Sequence, residues 1–304
     1  MQSKPITRRR AIQNLTGGAT AVAAATALSS RLSAAEDAAG AALKGRINHS
    51  VCKWCYGSIP LDPFCAEARR MGLKSVELLT VDDFPTLKKY DLVCAMVSGV
   101  PGGITKGLNR LENHDPIVAF YAATAPKVAA AGFKNIICFS GNRGGMSDEQ
   151  GLENCAVGLQ RVARVCEQHG VVAVMELLNS KVDHADYMCD HTAWGVELCK
   201  RVGSEHFKLL YDIYHMQIME GDVIRTIKGD QGKGIESAAP YIAHYHTGGV
   251  PGRNEIDESQ ELYYPAIMQA IADTGFKGFV AQEFIPARTD KLASLNQGVQ
   301  ICDV

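Results

Sequence analysis

Past Arg10 the chain has no run of lysine or arginine longer than two, and its formal net charge is −2 over 304 residues. A nucleic-acid-binding surface is read from a basic stripe, so no nucleic-acid partner is expected. No apolar stretch reaches the roughly 20 residues of a spanning helix, so no stable membrane span is expected either. No G-x-G-x-x-G follows any apolar run, which removes the main support for a dinucleotide-binding open sheet. C-x-x-C occurs once, at Cys52-Lys53-Trp54-Cys55, with no second pair to complete a zinc site. There is no internal repeat, and no low-complexity segment beyond an Ala-rich N-terminus. Hydrophobic residues are not scarce: at 46% they exclude a disordered chain.

What is present begins with Thr7-Arg8-Arg9-Arg10-Ala11-Ile12, then a weakly apolar stretch from Leu15 to Leu28, then Ser33-Ala34-Ala35. Paired arginines, a short apolar stretch and a small-residue cleavage site resemble a twin-arginine signal peptide. Residues 1–35 are therefore expected to be an export signal, 36–45 a linker, and 46–304 a single catalytic domain in the periplasm or otherwise exported. Most of the ten cysteines sit inside apolar patterns, where cysteine behaves as a small hydrophobe. The C-x-x-C spacing is read as incidental.

From Ile47 onward, short apolar runs alternate with helical patterns. Eight such runs are Ile47–Val51, Ser75–Leu79, Leu92–Val97, Asn135–Ser140, Val171–Glu176, Phe207–Asp212, Ile242–His246 and Gly278–Glu283. Near-continuous apolar runs of this length suit strands buried on both faces of a parallel sheet. Helices are expected over Leu61–Met71, Pro116–Ala131, from Ser147 to a stop at Gly170, and over Ala193–Val202 and Pro265–Thr274. Segments 82–90 and 217–240 look less regular, and Gly229–Gly234 reads as an irregular insert. Eight strands alternating with helices in about 250 residues fit an α/β fold of the closed (β/α)8 TIM-barrel type.

Several runs end on polar residues. Glu176 closes the fifth, Asp212 the sixth, His246 the seventh and Glu283 the eighth. In a barrel these positions fall on adjacent strands at the C-terminal face, where the active sites of this fold sit. Converging carboxylates repel strongly at low dielectric, and a bound cation resolves the repulsion. Two Glu, one Asp and one His make an oxygen-rich donor set. One divalent ion is expected, with Mn2+ or Mg2+ as first choices and Co2+ or Zn2+ as alternatives.

These residues and their surroundings resemble the sugar isomerase/epimerase, or xylose isomerase-like, TIM-barrel superfamily, and most closely its hydroxypyruvate isomerase-like branch. The resemblance covers about residues 46–290. It rests on Glu176-Leu177-Leu178-Asn179-Ser180, Tyr211-Asp212-Ile213-Tyr214-His215-Met216-Gln217, Val250-Pro251-Gly252-Arg253-Asn254-Glu255 and Gly278 to Phe284. It implies that the four strand-end residues bind one metal. It further implies that Glu176 and Glu283 act as paired acid and base on opposite faces of the substrate, and that His215 and Arg253 contact substrate oxygens. His246 stands where the hydroxypyruvate branch often has Gln, as in ketose epimerases. The loop Lys181-Val182-Asp183-His184-Ala185-Asp186 lacks the Asp-x-Pro-Gly run of the family.

The implied reaction is isomerisation or epimerisation of a small, sugar-like hydroxy-ketone or ketose through an enediolate. Two alternatives are a lyase on an oxidised (3-oxo) sugar or glycoside and a non-catalytic exported sugar-binding protein. A metal-barrel endonuclease would need more histidine ligands and a basic face. A homo-oligomer is compatible with everything above. Among remaining candidates, His244 and His246 are expected on opposite faces of their strand, with His246 inward. Glu77 is divided between pocket wall and structural ion pair, Lys53 and Trp54 between pocket lining and rim. Asn179 is expected just behind the site. His49, His114, His169, His184, His191 and His206 have no expected role.

Overall fold

Seven of the eight apolar runs form strands: β1 (Asn48–Cys52), β2 (Ser75–Glu77), β3 (Asn135–Cys138), β4 (Val172–Glu176), β5 (Phe207–Asp212), β6 (Ile242–Thr247) and β7 (Phe279–Gln282). The computed structural model describes residues 43–304. The expected signal segment and most of the expected linker lie outside the described residues. Leu43 already packs on the core, and the backbone N–H of Lys44 donates to Asp303 at 2.8 Å. The strands pair in parallel in the order β2-β1-β7-β6-β5-β4-β3.

The remaining run, Leu92–Val97, closes the barrel between β2 and β3 without being a regular strand. Val93 bridges Ser75, and Val97 bridges both Leu79 and Ile136. The ladder breaks at Ala95. Its N–H donates to Ser75 Oγ at 2.9 Å, and its carbonyl accepts from Asn135 Nδ2 at 3.0 Å. Two side chains thus satisfy backbone groups that a strand would pair with backbone.

The outer ring comprises α1 (Leu61–Arg70), α2 (Phe84–Lys89), α3 (His114–Ala130), α4 (Asp148–His169), α5 (Thr192–Val202), α6 (Ile213–Met219), α7 (Val223–Lys228), α8 (Tyr264–Asp273) and α9 (Lys291–Cys302). Local chemistry sets the ends of α4. Ser147 Oγ accepts from the Gln150 N–H, and Gly170 takes the left-handed conformation at φ 66°. The expected insert near Gly229 is a short 3-10 turn, Gln231–Lys233. Among the described residues no helix is long and apolar enough to cross a membrane. All ten cysteines are buried free thiols.

Strand alternation sorts side chains between two cores. Inside the barrel, Met96, Ile137, Val172, Val174 and Leu210 form a buried cluster. Between barrel and helices lies the larger one, with Tyr211 and Tyr245 ring centroids 6.0 Å apart and Tyr245 edge-on to Phe276. On β4 the inward set is Val172, Val174, Glu176; on β5 it ends at Leu210, Asp212. The expectation for β6 is overturned. Residues two apart share a face, so His244 and His246 both point into the barrel, and Tyr245 between them faces the helices.

Candidate active site

Four neighbouring strands deliver the polar ends. Glu176 is the last residue of β4, Asp212 the last of β5, His246 the penultimate of β6, and Glu283 follows β7. Asp212 lies opposite His246, while Glu176 lies opposite Leu210, the stagger expected of tilted barrel strands. One ligand atom from each of the four lies within 4.8 Å of the others, and all four residues are buried.

Asp212 does two jobs. Its Oδ1 caps α6 by accepting the His215 N–H at 3.2 Å, which leaves Oδ2 to the site. Burial pushes the Asp212 carboxyl up to about 8 against the pull of Arg253. Burial, then the charge of Glu283, also raises Glu176 above its ordinary value. Glu283 experiences the same burial, but His246 and Arg253 hold it well below the usual carboxylate range.

His246 is held from both sides. Nδ1 lies 2.7 Å from Glu283 Oε2 and 3.3 Å from Glu176 Oε1. Nε2 lies 3.0 Å from Glu77 Oε1. Glu77 is fully buried at the end of β2 and also meets Ser50 Oγ and, at 2.7 Å, His244 Nε2. Burial alone would raise its carboxyl; His244 and His246 outweigh burial and bring it to about 2. Glu77 is therefore a buried ion-pair partner that fixes the ring of His246, with Nδ1 turned to the site. Its signal in the sequence was its place at a strand end.

Arg253 reaches in from the loop after β6. Its backbone is left-handed at φ 57°, and Nη2 donates to Glu283 Oε2 at 2.6 Å and to Asp212 Oδ2 at 3.2 Å. The guanidinium lies over the rings of Trp54 and Tyr214, at 5.4 and 5.2 Å. The carboxylate of Glu255 pins this loop by accepting from the N–H groups of Ala287 and Arg288 and from Ser294 Oγ.

His215 is fully buried. Its Nδ1 accepts from the Asn179 backbone N–H at 3.1 Å and from the Asn179 amide at 2.7 Å. Burial and the charge of Arg253 lower its pKa well below the ordinary value. Because Nδ1 accepts both bonds, Nε2 carries the proton; it lies 3.6 Å from Asp212 Oδ2 and has no hydrogen-bond partner among the described residues. Asn179 also accepts from the Val182 and Asp183 N–H groups, so it ties the loop after β4 to His215.

A cavity of about 360 Å3 opens onto Glu176, Glu283 and Arg253. Trp54 lines it and donates Nε1–H to Glu283 Oε1 at 2.8 Å. Lys53 does not line it; its ammonium donates to the Tyr56 carbonyl and lies over Phe64. His184, which carried no expected role, is part of the lining. Nothing in its local sequence marks it, since its position depends on how the loop after β4 folds back.

The donor set fits a hard divalent ion. Three carboxylates and one imidazole converge, and Glu176 Oε1 is a buried oxygen without a hydrogen-bond partner among the described residues.

The chain is similar to known proteins in sequence and in fold. The putative hydroxypyruvate isomerase of Homo sapiens is 31% identical over 145 residues, 48% of this chain and 48% of that protein. The 2-oxo-tetronate isomerase of Cupriavidus necator is 33% identical over 135 residues, 44% of this chain and 46% of that protein. The chain spans about half the length of the curated relatives it matches. A crystal structure of an AP endonuclease, family 2, from Brucella melitensis shares the fold, with a TM-score of 0.69 at 23% identity over 82% of this chain and 97% of that one. The family profile described as xylose isomerase-like TIM barrel matches residues 65–300, a span that includes all four converging residues. This chain belongs to the xylose isomerase-like TIM-barrel family.

Proposed function

We propose that this protein is a metal-dependent isomerase or epimerase of a small hydroxy-ketone or ketose, working through an enediolate. One observation carries the proposal: Glu176, Asp212, His246 and Glu283 converge within 4.8 Å, with both glutamates facing one cavity. Both curated relatives bear the name of an isomerase, which supports the same reading.

Glu176, Asp212, His246 and Glu283 would hold a divalent ion, Mn2+ or Mg2+, which supplies Lewis-acid polarisation of substrate oxygens. The chain's own groups do the rest. One glutamate accepts the proton from the carbon between carbonyl and hydroxyl. His215 offers its Nε2–H to a substrate oxygen as negative charge develops there. Arg253, wedged between Trp54 and Tyr214, keeps Glu283 ionised. Return of the proton to the neighbouring carbon gives isomerisation; delivery by the second glutamate to the other face gives epimerisation.

The test is C–H exchange in D2O with Mn2+ and a panel of hydroxypyruvate, ketoses and 3-oxo-glycosides. Glu176→Gln and Glu283→Gln should each lower exchange at least ~10²-fold, the low end for general-base catalysis. Metal occupancy is measured on the same samples, because both residues are also ligands. A Gln variant that keeps metal and near-normal exchange removes that Glu from the mechanism. Exchange with no member of the panel overturns the function.

The proposal includes export. Arg8 and Arg9 precede an apolar stretch and Ser33-Ala34-Ala35, all outside the described residues. Replacing both arginines by lysine should leave the precursor in the cytoplasm. A secreted double-Lys variant would refute twin-arginine export.

A further inference from the structure

Beside the converging residues, the cavity carries an imidazole that the reaction has not used. His184 lines it together with Glu176, Glu283, Arg253 and Trp54. It is not one of the four residues that gather within 4.8 Å. Its ring lies next to that of His215 instead, with centroids 5.3 Å apart. The residue is half-buried. Among the described residues neither ring nitrogen has a hydrogen-bond partner, and neither is sealed off as Nε2 of His215 is. Partly desolvated polar groups without partners cost free energy, so the polarity of this ring does not serve the fold. Burial, then the charge of Arg253, favours its neutral form. A neutral imidazole has one donor and one acceptor nitrogen, and a hydroxyl can meet either.

The loop that carries His184 holds it in place. The Asn179 side-chain oxygen accepts from the Val182 and Asp183 N–H groups, and the Asn179 carbonyl accepts from the His184 N–H at 3.1 Å. The His184 carbonyl accepts from the Tyr187 N–H at 3.0 Å. Tyr187 is fully buried, and its hydroxyl donates to the Glu176 carbonyl at 2.9 Å. The backbone of His184 is thus tied on both sides to the segment that delivers Glu176. A side chain placed before the ligand arrives loses less freedom on binding it.

We infer that His184 is a further substrate-contacting residue, which sets specificity by hydrogen bonding to an oxygen beyond the reacting carbons. The inference rests on the proton-transfer function proposed above and adds a residue to that same site. His215 serves an oxygen on which charge develops. His184, one ring away and outside the four converging residues, meets a neighbouring oxygen whose charge does not change. A contact equally strong before and during proton transfer lowers KM and leaves kcat alone.

The experiment measures kcat and KM for D2O exchange by Mn2+-loaded wild type, His184→Leu and His184→Gln. The probes are D-fructose, D-tagatose and hydroxyacetone, the last with no oxygen beyond the reacting pair. His184→Leu should lower the ratio of kcat/KM for the faster ketose to that for hydroxyacetone by on the order of 10-fold, the loss of one hydrogen bond. The change should lie in KM for the ketose. His184→Gln, which keeps a donor and an acceptor, should recover most of the ratio. Melting curves on both variants separate a lost contact from a lost fold. An unmoved ratio, a loss carried by kcat, or a Gln variant as impaired as the Leu variant overturns this inference and leaves the proton-transfer function standing. So does a wild type that exchanges hydroxyacetone but neither ketose. Exchange with none of the three probes overturns both.

Discussion

His246 shows what single residues reveal and conceal. It was readable as a candidate ligand because it is polar, ends an apolar run, and has neighbours in sequence order that do the same. Its partner Glu77 was readable as one of two things, pocket wall or structural ion pair, but not as the partner of His246. Their contact joins β2 to β6 across the barrel interior, and no local pattern encodes it. The misplacement of His244 has a plainer cause: a period of two puts His244 beside His246, and Glu77 takes both. The place of His215 three past Asp212 was legible, and the structure sets it beside that carboxylate, but its tautomer depends on Asn179, a long-range bond. Because Glu77 orients the ring of His246, Glu77→Ala should weaken Mn2+ binding by ~10–100-fold, the usual effect of removing such a partner. Glu77→Gln, which can still accept from Nε2–H, should lose less. Titration of Mn2+ by electron paramagnetic resonance reads both, and equal affinity in wild type and Glu77→Ala would show that the ring is oriented by something else.

At the scale of elements, seven of the eight apolar runs became strands because continuous apolar sequence has no other place in a barrel than between two cores. Leu92–Val97 fills the eighth position but loses its regular ladder to Ser75 Oγ and Asn135 Nδ2. Such side-chain substitutions leave no trace in hydropathy. Helix α9 had no sequence signal strong enough to name it. Gly298 lies in its middle, where an added Cβ would meet Phe284 at 2.9 Å and Gln282 at 3.0 Å. Close approach to the strand above, rather than helix propensity, selects that glycine. The loop carrying Arg253 depends on a similar contact. A Cβ at Gly249 would fall 2.3 Å from the Glu255 carbonyl oxygen, and backbone cannot yield as a flexible side chain does. Gly249→Ala should therefore cost ~1–3 kcal/mol, the range for overpacking, and should lower exchange activity by displacing Arg253 from Asp212 and Glu283. Denaturant unfolding and D2O exchange on one preparation check it. Normal stability with normal activity would mean the loop can shift without moving Arg253.

The whole molecule explains why the site can exist at all. A barrel gathers residues far apart in sequence, 176 to 283, onto one rim, and its apolar interior withdraws them from water. Withdrawal has a cost, because three buried carboxylates repel at low dielectric. Arg253 offsets part of it through Asp212 and Glu283. Glu176 Oε1 is left without a hydrogen bond among the described residues. An ion bound only by the folded state adds stability as the logarithm of its concentration over Kd, ~2.7 kcal/mol at a hundredfold excess. For a domain of this size, each kcal/mol moves the melting midpoint by ~2–4 °C. Stripping the protein with EDTA should thus lower the midpoint by on the order of 5–10 °C, and added Mn2+ should restore it. Asp212→Asn removes one charge and weakens one ligand. Its midpoint in EDTA should be closer to that of the stripped wild type than the two are in Mn2+, because the variant gains less from the ion. A wild-type midpoint that ignores both EDTA and Mn2+ would mean that the four residues balance one another without a cation, and the metal-dependent mechanism would fall with it.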